Sequence, residues 1–215
     1  MPSSEVSLAL FVPLISKGDK VTDVAQFLGA GYDLVQAEPE TIQWFGIKYA
    51  DHAPPTFAIL DTFRAEGGRA AHLGGKVAEA LMANAPALLA AGPEIAQPNV
   101  LANKVVEGDK SRTAGLGNGL RVMLTAKPEK VQAVKEFLIG ALPLVEAEKE
   151  TLVWYALEFP GTNGFAIVDF FAGESGRNAH LSGKVAEALF ANADALLASP
   201  PDIVKFDVVA ASVKV

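Results

Sequence analysis

The chain has 215 residues, of which 50% are hydrophobic and 20% charged, with a formal net charge of −7 and no cysteine. So much apolar material supports a buried core and excludes a chain disordered by composition; the length admits one large domain or two small ones. The missing cysteine excludes disulfides, thiolate nucleophiles, iron–sulfur clusters and Cys-containing zinc sites. The acidic balance argues against nucleic acid or an anionic membrane as partner, since both need clustered Lys and Arg.

In chain order, Ser7 to Ile15 is a short apolar run containing Pro13, with no basic segment before it, and reads as a strand rather than a signal peptide. No stretch approaches the roughly 20 apolar residues of a spanning helix, so a soluble cytoplasmic protein is expected. Apolar residues at Val21, Val24, Phe27, Leu28, Leu34 and Val35 predict a helix from Val21 to Ala37. Thr41–Tyr49 and Phe57–Phe63 are rich in aromatic and β-branched residues, and Ala53-Pro54-Pro55 between them predicts a turn, hence a hairpin. Leu73, Val77 and Leu81 predict a helix over His72–Ala83, Pro86 predicts a break and a short second helix, and Val100–Val106 a last strand.

The same sequence then recurs. Residues 57–90 and 165–198 are identical at 25 of 34 positions, at an offset of 108. Upstream, Trp44 pairs with Trp154, Phe27-Leu28 with Phe137-Leu138 and Leu34-Val35 with Leu144-Val145, at an offset of 110. The first hairpin is therefore about two residues longer. In the second copy Leu120–Ala126, Thr151–Phe159, Phe165–Phe171 and Ile203–Val213 are the strands, one helix follows Lys127-Pro128, another covers His180–Ala191, and Asp194 marks the break. Residues 1–107 and 119–215 are thus two domains, with the Gly-rich residues 108–118 as linker. Each is β-α-β-β-α-β, a ferredoxin-like arrangement. Each sheet carries helices on one face and must bury the other. The expected fold is α+β: two ferredoxin-like units packed sheet to sheet as a pseudo-dimeric α+β barrel within one chain.

The pattern Phe57-x-Ile59-x-Asp61-x-Phe63, followed by Glu66-x-x-Arg69-x-Ala71-His72-Leu73, and its second copy through Asp169, Phe171, Arg177 and His180, resembles the antibiotic biosynthesis monooxygenase (ABM) family. The resemblance spans nearly the whole chain as two tandem copies. It implies the dimeric α+β barrel fold and, for the family's oxygenases, direct reaction of an electron-rich phenolic substrate with dioxygen, without metal, flavin or haem. Where the family often places Trp on the third strand this chain has Phe, and its Trp stands on the second.

Such chemistry needs a base near neutral pKa, groups that stabilise a developing anion and an apolar pocket. His72 and His180 titrate nearest neutrality. Arg69 and Arg177 lie three residues before them and Lys76 and Lys184 four after, a row able to hold an oxyanion. Asp61 and Asp169 interrupt an apolar alternation, so each is paired, hydrogen-bonded or functional. Trp44, Phe57, Phe63, Trp154, Tyr155, Phe165 and Phe171 offer flat walls for an aromatic substrate. Each has a plainer reading: the histidines as caps, the Lys members as a solvated helix face, the aromatics as core, the aspartates as structural partners of an Arg. His52 lacks a partner in the second copy and reads as surface.

Residues 115–119 lack the strand–turn–helix setting of a dinucleotide loop, residues 173–176 lack nucleophile-elbow spacing, and no metal-binding His spacing occurs. The leading expectation is a cofactor-independent monooxygenase taking dioxygen and a quinol, anthrone-like or other polyphenolic substrate. The rivals are a non-catalytic small-ligand-binding or stress-related barrel protein, and a haem-binding or haem-degrading protein. A further homodimer of such chains stays open.

Overall fold

A computed structural model describes residues 6–214. The fold is α+β, with eight strands and seven α-helices among the described residues. In the first repeat they run β1 (Leu8–Ile15), α1 (Val21–Val35), β2 (Gln43–Tyr49), β3 (Thr56–Phe63), α2 (Glu66–Leu73), α3 (Lys76–Leu88) and β4 (Asn99–Val105). The second repeat has β5 (Asn118–Thr125), α4 (Val131–Gly140), α5 (Leu142–Ala147), β6 (Val153–Glu158), β7 (Gly164–Phe171), α6 (Glu174–Leu181), α7 (Lys184–Leu196) and β8 (Asp202–Val213).

In each repeat the hairpin strand adjoins the first strand, all antiparallel. Leu8↔Phe63 to Ile15↔Thr56 join β1 to β3, and Gln43↔Thr62 to Lys48↔Phe57 join β2 to β3. Asn118↔Phe171 to Thr125↔Gly164 and Val153↔Phe170 to Glu158↔Phe165 repeat the pattern. These registers leave residues 49–56 in the first hairpin and 159–164 in the second, the two-residue difference expected from the offsets. The last strands have partners that the repeat boundaries do not suggest. β4 pairs with β6, from Asn99↔Glu158 to Val105↔Val153, and β8 pairs with β2, from Gln43↔Val213 to Tyr49↔Phe206. The strand order is β1-β3-β2-β8 in one set of four and β5-β7-β6-β4 in the other.

Chain contacts accordingly define two compact units that are not the two sequence repeats. One holds the described residues up to Gln97, Glu107–Gly115 and those from Phe206 on; the other holds Pro98–Val106 and Leu116–Lys205. In the first, Trp44, Phe57, Phe63, Leu28, Val77 and Leu81 form the core between sheet and helices; in the second, Trp154, Phe165, Phe171, Leu138, Val185 and Leu189 do. A fully buried residue of this size is worth about 2–3 kcal/mol.

Three local expectations change. The helix from Val21 is continuous in the first repeat, but its counterpart divides at Ala141, where Pro143 cannot donate the backbone hydrogen bond that Asp33 can. The helix predicted to begin at His72 and break at Pro86 instead breaks at Gly74-Gly75, and in the second repeat at Ser182-Gly183; α3 runs through Pro86 and α7 through Asp194. His72 and His180 thus lie in the last turns of α2 and α6. The linker is tied down: Arg112 pairs with Asp33 at 2.8 Å, and its carbonyl accepts the Ala211 amide at 2.8 Å.

Candidate active site

Each unit holds one cluster built from four elements. In the first unit β3 carries Asp61 inward among Phe57, Ile59 and Phe63, and α2 turns His72 toward it. The His72 Nε2 lies 3.4 Å from Asp61 Oδ2. On the other edge of the ring, Nδ1 lies 2.6 Å from Glu38 Oε2. Glu38 follows α1, and its Oε2 also accepts the Thr41 hydroxyl at 2.9 Å. The break at Gly74-Gly75 makes room for this carboxylate, since a Cβ on Gly75 would stand 2.7 Å from Glu38 Oε1. The second unit repeats the arrangement: His180 Nδ1 lies 2.6 Å from Glu148 Oε2 and Nε2 3.4 Å from Asp169 Oδ2, Thr151 donates to Glu148 at 2.7 Å, and a Cβ on Gly183 would stand 2.8 Å from Glu148 Oε1.

The result is a carboxylate–imidazole–carboxylate relay running from surface to interior. Its outer end opens on a cleft of about 380 Å³ in each unit. Leu34, Ala37, Glu38, Thr41, Ala71, His72 and Lys76 line the first, and Leu144, Ala147, Glu148, Thr151, Ala179, His180 and Lys184 the second. A volume of this size suits a small organic ligand. The inner end is buried: Asp61 and Asp169 are shielded from solvent, and among the described residues neither Asp169 oxygen has a hydrogen-bond donor. Asp169 and His180 also border a small pocket of about 20 Å³ whose wall includes the exposed Phe190.

This environment sets the protonation states. Burial works against charge on His72, but Asp61 and Glu38 outweigh it and push its pKa up to about 10. His180 is raised in the same way, with Asp169 and Glu148 overcoming burial. Glu38 and Glu148 are largely buried, which favours their neutral forms, yet the imidazolium and the Thr hydroxyl hold both below the usual carboxylate range. For the inner aspartates burial wins over the imidazolium: Asp61 is raised, and Asp169 is pushed up to about 7. Each relay thus shifts its outer carboxylate down and both its imidazole and its inner carboxyl up.

Of the residues singled out from sequence, the fold brings Asp61 to His72 and Asp169 to His180, and puts Lys76 and Lys184 on the cleft walls. It turns Arg69 and Arg177 aside: each pairs with the glutamate three residues earlier, Glu66 at 2.5 Å and Glu174. Trp44, Trp154, Tyr155, Phe57, Phe63, Phe165 and Phe171 are buried in the core and line neither cleft. Trp44 packs against Gly31 and Gly46, where an added Cβ would lie 3.1 Å from its ring. Phe63 and Phe171 do touch the site, their ring centroids 5.5 Å from those of His72 and His180. His52 is exposed in the hairpin turn, as expected. Sequence reasoning missed Glu38, Thr41, Glu148 and Thr151. The signal was Glu-x-x-Thr recurring at the 110 offset, just before the second strand of each copy.

No family model and no curated protein matches the chain. Solved structures resemble it in fold along nearly its whole length. A candidate monooxygenase from Fusobacterium nucleatum subsp. nucleatum has a TM-score of 0.84 at 14% identity, covering 99% of this chain and 96% of that one. A candidate monooxygenase from Lactobacillus acidophilus has a TM-score of 0.79 at 11% identity, covering 98% and 97%. An anthrone oxidase-like protein has a TM-score of 0.63 at 8% identity, covering 98% and 94%. At these identities the likeness is one of fold. Among the described residues no helix is long and apolar enough to cross a membrane.

Proposed function

We propose that the protein is a cofactor-independent monooxygenase of the ABM type that oxidises a quinol, anthrone-like or related polyphenolic molecule with dioxygen. The observation that carries this reading is the buried carboxylate–imidazole–carboxylate relay at the wall of an apolar cleft, built twice from the same residues. The sequence resemblance and the monooxygenase and anthrone oxidase-like fold neighbours support the reaction class.

In this reading the substrate lies in the cleft with its acidic O–H or C–H toward the relay. A relay carboxylate takes the proton, and the imidazolium behind it stabilises the resulting anion. Leu34, Ala37 and Ala71, with Leu144, Ala147 and Ala179 in the second cleft, keep water from the anion. The anion gives one electron to dioxygen, and the radical pair closes a C–O bond to a peroxide. At a methylene carbon the peroxide loses water to leave a carbonyl: one oxygen atom enters the product, the other leaves as water, and the carbon supplies both hydrogens and the electrons. Each relay imidazole already has a carboxylate at both nitrogens, so neither offers a lone pair to haem iron.

The test is oxygen uptake with purified protein and a panel of quinols and anthrones, with labelled dioxygen to follow the incorporated atom. One dioxygen consumed per carbonyl formed is expected. Glu38→Gln plus Glu148→Gln, or His72→Ala plus His180→Ala, should lower turnover by about 100-fold or more. No turnover across the panel, or turnover untouched by both double variants, overturns the reading. Ligand-induced thermal stabilisation without product would favour a binding protein instead.

A further inference from the structure

We propose that Lys104 and Lys214 are positioning residues for the two relay glutamates, each acting on the relay of the repeat to which it does not belong. Lys104 stands on β4, in the first repeat. Its Nζ donates to the carbonyl of Glu148 at 2.5 Å and to that of Val145 at 3.0 Å, both in the second repeat. Lys214 directly follows β8, in the second repeat. Its Nζ donates to the carbonyl of Glu38 at 2.7 Å and to that of Val35 at 3.1 Å, both in the first. The two lysines are 110 residues apart, the offset that relates the glutamates.

The chemistry fits a clamp rather than an ion pair. α1 and α5 end at Val35 and Ala147, each leaving carbonyls without an intrahelical partner and a partial negative charge. An ammonium with three donors can take two of those carbonyls at once. The second carbonyl in each case belongs to the glutamate itself, so the clamp fixes the backbone from which that side chain reaches the imidazole. Both lysines are partly buried, and that burial lowers their pKa against the pull of Glu148 and Glu146 on Lys104 and of Glu38 on Lys214. Backbone bonds seat them: the Lys214 amide donates to Ile42 at 2.9 Å, its carbonyl accepts the Gln43 side-chain amide at 2.9 Å, and the Val106 amide donates to Leu152 at 2.8 Å. The pairing of β4 with β6 and of β8 with β2 is what delivers them. One repeat alone would supply a histidine, its two carboxylates and a threonine, but no clamp.

The inference rests on the relay as the reactive centre, and its test does not depend on turnover. The chain has three histidines, and exposed His52 serves as the internal reference. The imidazole resonances are followed by NMR against pH in the full chain. With Lys214→Met, Glu38 loses its anchor, and the His72 midpoint should fall by about one unit or more while His180 stays in place. Lys104→Met should do the reverse. Lys214→Arg, which keeps charge and donors, should restore the His72 midpoint, and Lys214→Gln, which keeps one donor, should fall between. In a Glu38→Gln background Lys214→Met should add little further shift. Lower melting temperatures with unmoved histidine midpoints would make the lysines structural only and overturn the proposal. So would equal movement of both histidines in either single variant. Should the oxygen-uptake panel fail while these midpoints move as stated, the clamp stands and the monooxygenase reading falls.

Discussion

The two relays have the same geometry at both ends and differ at the rims of their clefts. Glu38 and Glu148 each stand 2.6 Å from their histidine, and their side chains are 17% and 18% exposed. Inside, Nε2 of each histidine stands 3.4 Å from Oδ2 of its aspartate, and burial raises both carboxyls, Asp169 to about 7. Outside, Pro39 lines the first cleft where Lys149 lines the second. The machinery is thus the same in both units, and the difference lies at the rim, where the second cleft gains a cation.

The largest effect expected on this comparison is from deleting an imidazole. His72→Ala leaves Glu38 and Asp61 facing each other without their cation, and His180→Ala does the same to Glu148 and Asp169. Each should destabilise the fold by about 3–5 kcal/mol in denaturant unfolding. Unequal losses would show that the surroundings of the two relays differ in energy although their geometry does not.

Acidity probes each relay more finely. His72 titrates at about 10 in the folded protein against 6.5 unfolded. The stability it contributes is therefore complete below about pH 6.5 and is lost as pH rises toward 10. Asp169 moves from 3.8 to about 7, so the folded state holds that proton more tightly and stability falls as pH rises through this range. Asp169→Asn should flatten unfolding midpoints between about pH 4 and 7. An unchanged slope in Asp169→Asn would show that this carboxyl does not carry the pH dependence.

The glycine breaks come next. Gly75→Ala and Gly183→Ala put a Cβ 2.7 and 2.8 Å from the glutamate oxygens, with helix carbonyls at 3.1–3.2 Å behind them. Each should lower the midpoint of its own histidine and destabilise by about 1–2 kcal/mol, measured by NMR titration and thermal unfolding. The smallest effect belongs to the cleft rims. Lys149→Ala should weaken binding of a carboxylated aromatic probe to the second cleft only a few-fold, and Pro39→Lys should strengthen the first by a similar factor, since an exposed charge is worth under about 1 kcal/mol. Calorimetric titration of each variant decides whether the rims differ at all.

Much of this was legible beforehand because it is local. Period-two alternation placed Asp61 and Asp169 on the inward face, and their histidines were recognised as partners of the same pattern. Helix boundaries around those histidines are less legible: Pro86 is the stronger local breaker, but only Gly74-Gly75 stands where a carboxylate has to approach. The three-residue spacing of Arg69 and Arg177 from the histidines shows that side chains share a helix face, not which acid they meet, and Glu66 and Glu174 pair with them. A tryptophan reads equally as wall or core, and the ring beside Gly31 and Gly46 is core.

The sequence by itself determined the internal repeat, the α+β class and nearly every element, since all of these follow from short-range periodicity and from one copy checking the other. Only the tertiary structure decided that Glu38 and Glu148 complete the relays, that β4 and β8 pair across the repeats, and that Lys104 and Lys214 hold loops more than forty residues away. A lysine bonded to a backbone carbonyl imposes no side-chain identity on its partner, and a strand's partner is chosen by its free edge. Neither leaves a pattern along the chain.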